Sequence, residues 1–116
     1  MNIIQVTEDY EDVQRIAVCV GSIQVYALQL LDSEGSHVDI TAGTLSVSYI
    51  NVATGAVYAF TGGSPVLTKW YAEQGVVSLL NPSAYPTPAQ VRITVTWTDG
   101  STVRRFGPLI VTVYAL

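Results

Sequence analysis

A single cysteine, Cys19, excludes any disulfide within the chain. It sits in the apolar run Ile16-Ala17-Val18-Cys19-Val20, where a buried small hydrophobe is expected. Histidine is equally scarce. His37 alone would have to serve any imidazole-based catalyst, and with one cysteine it cannot complete a zinc site of three or four nitrogen and sulfur ligands. Charge is thin as well: 12% of residues are Asp, Glu, Lys or Arg, about half of the roughly 25% usual in globular proteins. No apolar run approaches the roughly 20 residues that cross a bilayer, so no membrane span is expected. The amino terminus lacks a basic region followed by an apolar stretch, which argues against a secretory signal and for synthesis in a cytoplasm. No glycine-rich phosphate loop leads into a helix, because no amphipathic helix of useful length can be drawn.

The charges that are present are unevenly placed. Nine acids face five bases, for a net charge of −4. Glu8, Asp9, Glu11 and Asp12 fall within five residues, and beyond residue 12 five acids balance five bases. The body is therefore neutral with scattered arginines, unlike the basic face that nucleic acid requires, so no nucleic-acid partner is expected. Residues 1–12, without a turn signal, read as an acidic arm that clasps a partner and can be removed without unfolding the body. Residues 13–116 read as one domain, long enough to bury a core. A charge-poor surface on a chain that is 49% hydrophobic suggests that neighbouring subunits cover it, as in a homo-oligomer or a larger assembly.

Strand-forming residues dominate. Val91, Ile93, Val95 and Trp97 alternate with Arg92, Thr94 and Thr96, the period of a half-buried strand. Asp99-Gly100 follows as a hairpin turn that needs positive φ, and Thr102 to Phe106 returns. Gly107-Pro108 then breaks the strand before Leu109 to Tyr114 resumes. Similar signals place strands at Val13–Val20, Ile23–Leu31, Thr44–Val52 and Val57–Thr61, with a short extended piece at His37–Thr41. In the strand from Thr44, Leu45, Val47 and Tyr49 share one face. Val66–Tyr71 and Val76–Leu80 are further strands, with a short helical turn as the alternative for Trp70 to Gln74. Asn81 to Pro88 carries three prolines and reads as a loop. Seven to nine short strands with frequent turns predict an all-β, antiparallel β-sandwich or small barrel.

Chemistry-bearing residues are few. His37, Ser36 and Asp39 lie close in sequence, but no nucleophile-elbow pattern accompanies them. Asp32, Glu34 and Asp39 surround a glycine-containing turn and are the oxygen ligands a calcium ion would use, yet a solvated turn accounts for them equally. No cofactor is implied. The aromatics hold the binding potential: Trp97 continues a core face, whereas Trp70, Tyr71 and the proline-flanked Tyr85 are expected at an interface or, in the rival reading, on a sugar-stacking platform.

Two stretches carry a resemblance. One runs from Leu30 to Val47 through Asp32-Ser33-Glu34-Gly35 and Asp39-Ile40-Thr41. The other runs from Val91 through Asp99-Gly100-Ser101 to Arg105-Phe106-Gly107-Pro108 and Val113. Together they resemble the immunoglobulin-like domains of tailed-phage virion proteins, in particular the amino-terminal domain of baseplate upper proteins; small capsid decoration proteins also use such sandwiches. The resemblance implies a non-enzymatic virion component made in the host cytoplasm, with other virion proteins of capsid or tail as partners. Baseplate upper proteins continue into a helical stalk, and this sequence stops at Leu116, so a stand-alone capsid decoration or cement subunit is the leading expectation. A tail or baseplate accessory is the alternative, and a carbohydrate-binding module the rival from another class. Glu8, Asp9, Glu11, Asp12, Trp70, Tyr71 and Tyr85 are the candidate partner-binding residues.

Overall fold

A computed structural model describes residues 2–8, 14–19, 26–60, 67–78 and 89–114. Eight strands run in the order β1 (Asn2–Thr7), β2 (Gln14–Cys19), β3 (Tyr26–Leu31), β4 (Thr44–Asn51), β5 (Lys69–Tyr71), β6 (Val76–Ser78), β7 (Ala89–Asp99) and β8 (Thr102–Tyr114). A 3-10 turn, Ala72–Gln74, links β5 to β6. The strands form two four-stranded sheets, ordered β1-β3-β6-β5 and β2-β8-β7-β4. This is the sandwich, one of the two all-β architectures that the strand spacing predicts.

The alternation explains the layers. Val91, Ile93, Val95 and Trp97 of β7 are all buried, while Arg92 is exposed and Thr94 and Thr96 are half-buried. Leu28 and Leu30 of β3 fill the opposing sheet, and Phe106, Leu109, Val111 and Val113 of β8 join them in one continuous core. At β4 the inward set is Leu45, Val47 and Tyr49, of which Tyr49 is buried.

The long hairpin turns at Gly100, whose φ is +60°. Gly107-Pro108, joined by a cis peptide, does not end the return strand: β8 runs unbroken to Tyr114. The ladder instead slips there, pairing Val95 with Phe106 and Ile93 with Leu109. Three residues of β8 thus span the distance of two in β7, a bulge. The extra residue puts both Phe106 and Leu109 on the core side, and a proline needs no ladder partner at such a site.

Four pairings are antiparallel, whereas β1–β3 and β2–β8 are parallel and lie at sheet edges. The two strands on either side of Gly21-Ser22 therefore do not form a hairpin: β2 joins one sheet and β3 the other. The segment read as an arm begins, over residues 2–7, as an edge strand in register with Tyr26–Leu31. Its alternation is the cause, since Val6 is 1% exposed and Ile4 packs against the core. Asp9, Glu11 and Asp12 lie outside the described residues. The strand expected at Val57–Thr61 is reduced to a bridge between Val57 and Ile50. There the Tyr58 N–H donates to the Tyr49 carbonyl at 3.0 Å, and the Phe60 ring meets those of Tyr49 and Tyr58 edge-on, with centroids 4.8 Å apart in each pair. That segment lines part of the open edge of β4, which would otherwise present unpaired backbone groups.

Candidate interaction surface

Of the seven candidate partner-binding residues, the fold brings two together. Trp70 and Tyr71 stand on β5, the short edge strand of the first sheet, and are 44% and 57% exposed. Their rings stack, with centroids 5.7 Å apart and planes 18° from parallel. Consecutive strand residues normally point to opposite faces. Here Lys69 pairs with Val77 and Tyr71 with Val76, so a bulge sets Trp70 and Tyr71 against one partner residue and lets neighbouring side chains meet. Both expectations for Trp70–Gln74 hold in part: a strand comes first and the helical turn follows at Ala72.

The platform has a firm base. The Lys69 ammonium donates to the carbonyls of Thr41, Ala42 and Gly43 at 3.1, 3.3 and 2.8 Å. The Trp97 indole N–H donates to the same Ala42 carbonyl at 2.8 Å. One loop therefore joins the edge strand to the core tryptophan of the other sheet. Gly43 allows this close approach, because at its φ of +75° a Cβ would come within 2.4 Å of the Thr98 carbonyl oxygen. Shallow depressions lie on both sides of the aromatic pair. One, of about 340 Å³, is lined by Thr68, Lys69, Trp70 and Ser78, and the other, of about 190 Å³, by Tyr71 to Gln74.

The remaining candidates behave differently. Glu8 follows β1, bridges to Phe106, and its carboxylate binds Arg104 through two hydrogen bonds, the longer 3.1 Å. That bond raises the pKa of Arg104 further above its ordinary value. Glu8 thus ties β1 to β8 across the end of the sandwich. Tyr85, like Asp9, Glu11 and Asp12, lies outside the described residues.

The possible chemistry around His37 does not assemble. Asp39 is spent on its own turn, accepting from the Thr41 N–H at 2.9 Å and its hydroxyl at 2.6 Å. These bonds hold its carboxyl below the usual carboxylate range, the hydroxyl contributing most. Asp32 caps the preceding turn, accepting from the Glu34 and Ser36 N–H groups at 2.9 Å each. Among the described residues no three His, Cys, Asp or Glu side chains gather as a metal site, and no helix is long and apolar enough to cross a membrane. Cys19, expected to be buried, is half-buried near the end of edge strand β2.

One feature escaped the sequence reading. Arg15, Arg92 and Arg105 all lie on the outward face of the second sheet, an arrangement that only the strand register brings together.

No family model matches the chain, and a search of curated proteins finds no match. Among solved structures the chain is similar to the N-terminal domain of phage TP901-1 ORF48. The two are 10% identical with a TM-score of 0.53, and the alignment covers 98% of this chain and 99% of that one. At that identity the likeness establishes a shared fold from end to end.

Proposed function

We propose that this chain is a structural, non-enzymatic component of a phage virion that docks onto other tail or baseplate proteins. The observation that carries the reading is the overlay of nearly the whole chain on a phage domain. The turn pattern resembling baseplate upper proteins points the same way. Together they favour a tail or baseplate position over a capsid decoration role.

Within this reading Trp70 and Tyr71 form the docking anchor. Aromatic residues dominate interface energetics because they bury large areas with few rotors to freeze. Covering what remains exposed of the pair, on the order of 100 Å² each, is worth ~2–3 kcal/mol per ring before association costs. The mutual stacking also weighs against the sugar platform, since each ring already gives one face to the other. Tyr85 and the Glu8 to Asp12 stretch are proposed as secondary contacts.

The test is binding of purified protein to separated tails and capsids of the phage that encodes it. The wild-type protein should co-sediment with tails, and Trp70→Ala/Tyr71→Ala should lose that binding while keeping its circular dichroism spectrum. Co-sedimentation with capsids alone would overturn the tail assignment. Saturable binding to a glycan array that vanishes in the same double variant would replace the docking reading with glycan recognition.

A further inference from the structure

The outward face of the sheet β2-β8-β7-β4 carries a charge pattern that the docking anchor does not use. Register aligns Arg15, Ile110, Arg92 and Ile50 in one row across all four strands. Arg105 stands on the same face, opposite Thr96. All three arginines are exposed, whereas Ile110 between two of them is only 7% exposed. Arg15 and Arg92 are its partners on the two neighbouring strands. The surrounding positions are hydroxylic: Ser46, Ser48, Thr94, Thr96 and Thr98.

Among the described residues these arginines have no counter-charge. Among the described residues the one ion pair is Arg104 with Glu8, and no carboxylate reaches Arg15, Arg92 or Arg105. Beside Arg92 lies a depression of about 250 Å³ with walls from Ile50, Val52 and Ile110, in which Arg92 is the one charged group among the described residues. A cation next to apolar walls suits a carboxylate on an aliphatic stem, which is the chemistry of a glutamate side chain.

The chain supplies such groups elsewhere. Glu34 and Glu73 are exposed, and neither carboxylate accepts a hydrogen bond among the described residues. Asp32, Glu34 and Asp39 lie along one loop, and the Ile40 N–H, donating to the Ala72 carbonyl at 2.9 Å, brings the 3-10 turn that carries Glu73 beside its Asp39 side; this loop and turn are the acidic end. We infer that the Arg15–Arg92–Arg105 face is a self-association surface, which receives the acidic end of a second copy of this chain. A polyanion such as nucleic acid fits less well, since a molecule of net charge −4 with three available arginines repels it overall. Two different patches meet, so the contact is made either twice in a reciprocal two-fold dimer or once per neighbour in a head-to-tail ring or filament. The inference is independent of the phage reading.

The test is solution mass by light scattering with the full chain. In about 20 mM salt the wild type should show at least twice the 12.5 kDa of one chain. In about 0.5 M salt, where screening acts within roughly 4–5 Å, it should fall towards that single mass. Arg92→Glu/Arg105→Glu and Glu34→Lys/Glu73→Lys should each be monomeric at low salt. Mixing the two variants should restore assembly, since each then offers the charge the other needs. These four positions are exposed, and circular dichroism checks that the variants fold. A wild type that stays at one chain mass in low salt overturns the inference. So do an Arg92→Glu/Arg105→Glu variant that assembles like the wild type and a mixture that stays monomeric.

Discussion

Replacing Lys69 by Met tests how the edge strand is fastened to the core. The substitution keeps the apolar stem and removes the ammonium that serves three carbonyls at 2.8 to 3.3 Å. A hydrogen bond to a charged group contributes about 1.5–3 kcal/mol when its loss leaves a buried partner stranded. Here the stranding is partial. Ala42 keeps the Trp97 N–H at 2.8 Å, and Thr41 is exposed, so water replaces the lysine there. Gly43, half-buried, loses most. The net cost is therefore about 1–2 kcal/mol rather than the sum of three bonds. For a domain of this size that lowers Tm by roughly 3–10 °C. Thermal unfolding followed by circular dichroism measures it, and tryptophan fluorescence reports on Trp97 next to the altered loop. Lys69→Arg should recover part of the loss, because a planar fork matches three carbonyls poorly. An unchanged Tm for Lys69→Met would refute the clasp.

Other consequences are equally direct. Gly43→Ala should cost more than the lysine variant, at least about 2 kcal/mol, because φ is +75° and the new Cβ would meet the Thr98 oxygen at 2.4 Å; denaturant unfolding reads it. Deleting residues 2–7 should destabilise the body rather than spare it: losing buried Val6 and half-buried Ile4 and uncovering β3 removes on the order of 4 kcal/mol, and a truncated chain with wild-type Tm would contradict the paired β1. Burial raises the Tyr49 phenol to about 12. The unfolded tyrosine ionises near 10, so between those values the native state holds more protons and stability falls as pH rises. Ultraviolet difference titration should show a phenol that ionises at about 12 and disappears in Tyr49→Phe, and its absence would contradict the burial of Tyr49.

The legible parts of the fold were those written in local pattern. Val91 to Trp97 alternates without exception, and Asp99-Gly100 sets the turn, so the central hairpin follows from neighbours in sequence. The parallel pairings were not legible, because the partners of β1 and β2 are set by sheet assembly rather than by a turn between them. For the same reason the acid cluster drew the first residues away from the sheet, although Ile4 and Val6 already carried a two-residue period. Gly107-Pro108 read as a break since proline lacks the ladder donor; a bulge meets the same constraint without ending the strand. At the interaction surface, aromatic content pointed to Trp70 and Tyr71, but their stacking depends on a bulge invisible in the residue order. The arginine face needed three strands in register before it existed at all.

Localisation on the virion addresses the account at its centre. Electron cryomicroscopy of particles grown with and without this protein should reveal a missing sandwich-sized density at the tail or its baseplate, with the Trp70–Tyr71 edge turned towards a neighbouring protein. Particles identical in both preparations, or a density lost from the head alone, would contradict it.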